Sequence, residues 1–192
     1  MISPYMQSLA RNHAEPVEGD FFASDPRAVP PLVRVEPLGA HVWECCCGSG
    51  DMARALQEAG VGAAPSDAHD RGFGMVRDVF TVAEPLAPVI VTNPPYADAF
   101  PVRLVRHARE IGVRKVCLLL PMAWWDAQRR VDFLTEEAPP ARVWAIAGRI
   151  RMARNGDWNA TGNSPNRSYA WWVWDFTAPP APTIVRPITL EA

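Results

Sequence analysis

Two short stretches of this chain carry residues whose types and spacing suit chemistry. The first is Val42-Trp-Glu-Cys-Cys-Cys-Gly-Ser-Gly-Asp51 and the second is Thr92-Asn-Pro-Pro-Tyr96. The first combines carboxylates (Glu44, Asp51), glycines (Gly48, Gly50) and thiols (Cys45, Cys46, Cys47), with Cys117 as the remaining cysteine. Zinc ligands usually come in pairs separated by about two to four residues, often with histidines. Adjacent cysteines point to opposite sides of an extended chain, and His41 and His69 complete no ligand pattern. No metal site is expected, and the cysteines read as small, buried, reduced thiols.

The glycines suit a ligand better. Gly48-Ser49-Gly50-Asp51-Met52-Ala53 fits G-x-G-x-x-A, a turn in which the backbone passes close to a bound molecule. Asp67 follows at the distance of a ribose-binding acid. No Gly-Lys-Ser/Thr follows, so the turn is not a Walker loop. Glu44 and Asp51 disfavour a pyrophosphate, which prefers the positive end of a helix. An acidic turn suits a nucleoside ligand with a cationic part, and S-adenosylmethionine carries an ammonium and a sulfonium.

The flanking elements must position both stretches. His41 to Cys45 reads as a strand, Asp51 to Ala59 as a helix capped by Asp51 and ended by Gly60, and Val61 to Ser66 as a second strand. Val89 to Thr92 and Val116 to Leu120 are continuous apolar runs suited to parallel strands covered on both faces. Between them Asp98 to Glu110 reads as a helix, with Leu104, Ala108 and Ile111 on one face, Arg103 and Arg106 on the other, and Pro101 in its first turn. Arg142 to Ile150 and Ser168 to Phe176 are further strands, the last apolar on both faces and so central. The fold class expected is an open, Rossmann-like α/β sheet, mostly parallel with a C-terminal antiparallel hairpin and helices on both faces. Ligands of such sheets bind beyond the carboxyl ends of the strands, where both stretches fall. Residues 1–20 read as a loosely ordered arm, 21–176 as one domain, and 177–192 as a Pro-rich, irregular tail.

At 192 residues the chain can bury roughly 70% of its unfolded surface. Hydrophobic residues make up 48% and charged residues 21%, as in ordinary globular proteins. No apolar run is long enough to cross a bilayer and no basic-then-apolar leader is present, so the expected location is the cytoplasm, without a membrane partner. The net charge of −2 supplies no global attraction for nucleic acid, which would need a local basic patch.

Together, Glu44-x-x-x-Gly48-x-Gly50 and Asn93-Pro94-Pro95-Tyr96 resemble the class I S-adenosylmethionine-dependent methyltransferases that act on planar amino nitrogens. The resemblance runs from about Phe21 to Phe176. Asn-Pro-Pro-Tyr is shared by DNA adenine methylases, some RNA methylases and the protein-glutamine methylases. The motif also has a physical reading. An exocyclic amino group is a poor nucleophile because its lone pair is delocalised into the ring. Acceptors at Asn93 Oδ1 and the Pro94 carbonyl can bind both N–H groups and draw the nitrogen toward tetrahedral geometry. Pro94 and Pro95 stiffen the turn, and Tyr96 can stack on the planar substrate. The methyl group then transfers in line from the sulfonium, with no covalent enzyme intermediate.

The resemblance implies a cofactor set of Phe22, Glu44, Cys46, Gly48, Gly50, Asp67, Asp78, Phe80 and Asn93. Asp78 would hold the adenine amine of the cofactor and Phe80 its ring. Phe21 to Pro26 stands where DNA adenine methylases carry an aromatic-x-Thr-Pro segment over the methionine end, with Ser24 in place of the threonine. The loop from Arg149 to Arg167 carries Arg149, Arg151, Arg154, Trp158 and Arg167, a phosphate-and-base contact set. A flipped or single-stranded adenine would fit an Asn-Pro-Pro-Tyr pocket. No room exists for a target-recognition domain, so the chain resembles the compact DNA N6-adenine methylases of phages and prophages. The expected partner is nucleic acid, DNA before RNA. RNA adenine or protein-glutamine methylation and, in a different class, an NAD- or nucleotide-binding module are the alternatives. The oligomeric state is open.

Overall fold

The computed structural model describes residues 21–96, 99–159 and 167–191. The expected N-terminal arm therefore lies outside the described residues. In chain order the strands are β1 (Phe22–Ser24), β2 (His41–Glu44), β3 (Gly62–Asp67), β4 (Met75–Val76), β5 (Val89–Thr92), β6 (Lys115–Pro121), β7 (Arg142–Ala147), β8 (Met152–Arg154), β9 (Tyr169–Asp175) and β10 (Ile184–Thr189). The helices are α1 (Val29–Val35), α2 (Asp51–Glu58) and α3 (Phe100–Glu110).

Eight strands form one sheet in the order β10-β7-β9-β6-β5-β2-β3-β4. All neighbours pair in parallel except β9, which is antiparallel to both β6 and β7. The open α/β sheet with its antiparallel C-terminal hairpin is as expected from the apolar runs. β5 and β6 are buried along their whole length, as strands covered on both faces must be. The alternation in β9 sends Trp171 and Val173 to one face and Trp172 and Trp174 to the other. On the first face they meet Leu32 of α1 and Met52 and Leu56 of α2; on the second they meet Leu104 and Ala108 of α3. Burial of these apolar side chains, roughly 1.5–3 kcal/mol each, fixes the helices against the sheet.

Two expectations are corrected. The tail is not irregular throughout: β10 adds a parallel edge strand beside β7, from Ile184 opposite Arg142 to Thr189 opposite Ala147. Its Pro187 is tolerated because an edge strand can present one side without donors. Asp51 is not the cap of α2 but its first residue. Gly50, in the left-handed region at φ 84°, holds the cap position, and the Ser49 hydroxyl donates to the Asp51 carboxylate. Helix α3 begins at Phe100, two residues later than expected, and Ala97 and Asp98 lie outside the described residues.

A separate two-stranded ribbon, β1 with β8, runs outside the main sheet, with Phe22 opposite Arg154 and Ser24 opposite Met152. Asp25 locks its end. Its carboxylate accepts two hydrogen bonds from Nε of Arg27 at 3.0 and 3.2 Å and one from Nη2 at 2.6 Å. It also accepts the Arg151 backbone N–H at 3.1 Å. Burial opposes the charge on Asp25, but these bonds outweigh it and hold the carboxyl below its ordinary range.

Candidate active site

Beyond the carboxyl ends of β2, β3 and β5 lies a cavity of about 360 Å³. The order of the sheet explains its place. After β2 the chain builds outward to β3 and β4, then returns to β5 on the other side of β2, and such a switch point leaves a crevice. The cavity wall includes Glu44, Cys46 and Gly48 from the end of β2 and Asp67 from the end of β3. Asp78 and the whole Asn93-Pro94-Pro95-Tyr96 turn complete it. The ribbon roofs it with Phe21, Phe22 and Ser24. The two stretches singled out by residue type thus share one cavity.

The glycine turn is shaped by close approaches. A side chain at Gly48 would stand 2.7 Å from the Phe21 ring, and one at Gly50 would stand 2.4 Å from the ring of Phe73. Both glycines also have positive φ, 51° and 84°. Asp67 ties the turn to β3: its Oδ2 accepts the Gly48 N–H at 3.0 Å and its Oδ1 accepts the His69 N–H at 3.0 Å. Arg71 reaches the same acid at 4.0 Å and lies over the Phe21 ring, 4.9 Å from its centre.

Glu44 is buried, and its Oε2 has no hydrogen-bond partner among the described residues. Burial, followed by the nearby Cys46, Asp51 and Asp67, pushes its carboxyl well above the ordinary carboxylate range. The unfolded chain binds this proton only below about 4.5, so the folded protein holds more proton through the window above that value. The stability carried by this group is therefore complete at acid pH and is lost as pH rises toward the folded pKa. Glu44→Gln, which cannot ionise, should lose that slope, and its melting temperature relative to wild type should rise from about pH 5 to 8. Parallel pH profiles of the two proteins would remove Glu44 as the source. The same acidity bears on the thiols. Burial, and then Glu44, push Cys47 up to about 12, so it is an inert packing thiol. All four cysteines are free, and no group of three His, Cys, Asp or Glu able to hold a metal occurs among the described residues.

Asn93 is held at both ends of its amide. Its Nδ2 donates to the Phe22 carbonyl at 3.2 Å, and its Oδ1 accepts the Tyr96 hydroxyl at 2.5 Å. Burial, and then the neighbouring Tyr169, keep the Tyr96 phenol well above its ordinary pKa, so it remains a donor. The rings of Tyr96 and Tyr169 are 6.3 Å apart.

Phe80 departs from expectation. It does not line the cavity; its ring packs edge-on against Phe100 at 5.1 Å and under Arg103, whose guanidinium lies 3.7 Å from the ring centre. Val79 and Phe100 occupy the wall instead. The cause is local: Asp78 caps a single turn over Val79–Thr81, which turns Phe80 toward α3. In the sequence, Phe21 and Asp25 have a place only within the segment over the methionine end, and Arg71 and Asn155 have none. Asn155 accepts the Phe21 N–H at 3.1 Å and donates its backbone N–H to the Phe21 carbonyl at 2.8 Å, which seats Phe21 on Gly48. Only the doubled aromatic Phe21-Phe22 hinted at this.

The basic loop is partly the ribbon itself. Arg151 precedes β8 and donates to the Trp158 carbonyl at 2.7 Å, with its guanidinium 5.9 Å from that ring. The Arg149 carbonyl accepts from Arg27 at 3.2 Å, and Arg154 ends β8. Arg167 is exposed on the far side of residues 160–166, which lie outside the described residues. Residues 149–154 of the loop and the roof of the cavity are therefore one piece of structure.

No protein-family model matches the chain, and no curated protein matches it. Solved structures do. One is a proposed RNA methyltransferase of Pyrococcus horikoshii, with a TM-score of 0.56, 10% identity, and coverage of 78% of this chain and 80% of that one. A second is the modification subunit of a proposed type I restriction enzyme of Vibrio vulnificus, with a TM-score of 0.54 and 12% identity over 95% of this chain. The match spans only 50% of that subunit. A third is an S-adenosylmethionine-dependent O-methyltransferase of Thermotoga maritima, with a TM-score of 0.51, 12% identity, and coverage of 81% and 66%.

The chain has the class I methyltransferase fold. At these identities the likeness establishes the architecture alone. No helix among the described residues is long and apolar enough to cross a membrane.

Proposed function

We propose that the protein transfers a methyl group from S-adenosylmethionine to the exocyclic amino nitrogen of a nucleobase, adenine N6 in DNA. The observation that carries this reading is the shared cavity: an acidic glycine turn on one wall and Asn93-Pro94-Pro95-Tyr96 on the other. S-Adenosylmethionine supplies an electrophilic methyl group when bound. Asp67 and Gly48 would hold its ribose, Asp78 its adenine amine, and Glu44 and Asp51 would face its cationic end. The unpartnered Oε2 of Glu44 fits a cationic donor, because a buried acceptor without a partner gains most from one.

The residues of the turn do the rest. Asn93 Oδ1 uses one lone pair on Tyr96 and keeps a second for a substrate N–H. The Pro94 carbonyl offers the other acceptor. Binding both N–H groups of the amine localises its lone pair and aims it at the cofactor. Phe22 and Ser24 line the cavity beside this path.

Nucleic acid as the substrate is supported by the arginines around the roof, and by neighbours of the same fold whose names refer to RNA methylation and restriction-modification. If Arg149 and Arg154 meet phosphates, oligonucleotide affinity should fall steeply with salt. Replacing either by Ala should flatten that slope by about 0.7 to 0.9 per contact. Salt-insensitive binding, measured by fluorescence anisotropy across a salt series, would remove both from the interface. Titrating S-adenosylmethionine against NAD separates the methyltransferase from a dinucleotide-binding module.

A further inference from the structure

A second cavity, of about 590 Å³, opens beyond the carboxyl end of β6 and shares Tyr96 with the first. Met122, Trp124, Arg130, Arg167 and Ser168 line it with Tyr96, and no carboxylate among the described residues does. Arg130 is the unusual member. Lys115 and Arg130 are the two basic side chains buried among the described residues. Lys115 faces two carboxylates, Glu36 at 3.0 Å and Asp175 at 3.6 Å. Arg130 has no carboxylate within ion-pair distance among the described residues. One N–H, on Nη1, is used on the Trp124 carbonyl, and the guanidinium lies 4.8 Å from the centre of the Trp124 ring. Among the described residues its other donors make no hydrogen bond. Burial, and the adjacent charge of Arg129, press its pKa below the ordinary arginine value, the mark of a cation lacking its anion.

A buried charge is normally paired, and a planar guanidinium fork is matched to phosphate oxygens. Arg167 and Ser168 line the same cavity and bring further donors to it. We propose that this cavity binds the backbone phosphate beside the target base, with Arg130 and Arg167 as its ligands, while the base itself lies against Tyr96. The inference rests on the nucleobase reading above and deepens it, because it gives the strand a fixed point next to the catalytic turn. It adds a ligand outside the basic loop: Arg149, Arg154 and Arg167 belong to that loop, whereas Arg130 follows the Trp124-Trp125 turn after β6.

The test compares binding of an adenine-containing single-stranded oligonucleotide with copies carrying one uncharged methylphosphonate on either side of the target adenine. Wild type should lose about tenfold in affinity for one of the two copies. Arg130→Gln and Arg167→Gln should each bind the natural strand about tenfold more weakly and discriminate the methylphosphonate poorly, with a salt slope lower by about 0.7. Their S-adenosylmethionine affinity by calorimetry should match wild type. If Arg130→Gln fails to fold, exposed Arg167 decides alone. Wild type indifferent to both methylphosphonates, or an Arg167→Gln variant that binds and discriminates like wild type, would overturn the proposal. So would competition by adenosine 5′-monophosphate that equals the oligonucleotide, which would make this a mononucleotide site. Because the readout is binding, failure of methyl transfer alone would count against the proposed function and leave the phosphate site standing.

Discussion

Asn93→Ala should lower kcat by about a hundredfold or more while S-adenosylmethionine binds almost as before. The side chain supplies an acceptor that matters most as the amine nitrogen becomes tetrahedral, so its loss falls on the transition state. The proposed cofactor contacts lie mainly on the glycine turn and Asp67, which line the same cavity as Asn93. A small effect on affinity, within a few-fold, is expected because the Asn93 amide also donates to the Phe22 carbonyl in the roof. Tyr96 separates two contributions. Tyr96→Ala removes a stacking surface and should weaken substrate binding by about one to three kcal/mol. Tyr96→Phe keeps the ring but loses the hydroxyl that orients Asn93 Oδ1. Sequence alone assigns Tyr96 a stacking role, for which phenylalanine would suffice. The hydrogen bond changes that expectation to about a fivefold loss in kcat with binding intact. Single-turnover methyl transfer beside cofactor calorimetry measures each of these. Asn93→Ala turning over at the wild-type rate would reduce the motif to a turn.

Asp67→Ala should have the opposite signature, weakening S-adenosylmethionine binding by about one to three kcal/mol through lost charge-assisted hydrogen bonds. The structure gives this residue a second duty, since its two oxygens already hold the Gly48 and His69 N–H groups. Asp67→Asn, which keeps a carbonyl acceptor for one of them, should therefore bind better than Asp67→Ala. Equal affinity in wild type and both variants by calorimetry would exclude Asp67 from the cofactor site.

The main sheet was legible in the sequence because buried parallel strands leave an unbroken apolar signal, as in Val89–Thr92 and Lys115–Pro121. The two stretches that share the cavity were legible because glycine, proline and carboxylate have backbone and charge requirements that appear as residue types. What escaped was set by contacts between distant segments. Strand β10, with only Ile188 buried, carries no apolar alternation and is held by pairing with β7. The ribbon of β1 and β8 joins residues about 130 apart, and its lock, Asp25, looks like an ordinary turn acid. Phe80 leaves its expected place because the turn at Asp78 aims it toward α3, where it packs on Phe100. Arg130 is likewise invisible in a chain rich in arginine, and only its burial without a carboxylate sets it apart.

The most direct measurement incubates the protein with S-adenosylmethionine carrying a deuterated methyl group and with adenine-containing DNA and RNA oligonucleotides. The strands are then digested and their nucleosides analysed by mass spectrometry. The expected result is labelled N6-methyl-2′-deoxyadenosine from DNA, with Asn93→Ala forming it about a hundredfold more slowly at unchanged cofactor affinity. Label in neither DNA nor RNA nucleosides, from a protein that binds S-adenosylmethionine in the same preparation, would contradict a nucleobase-amine methyltransferase.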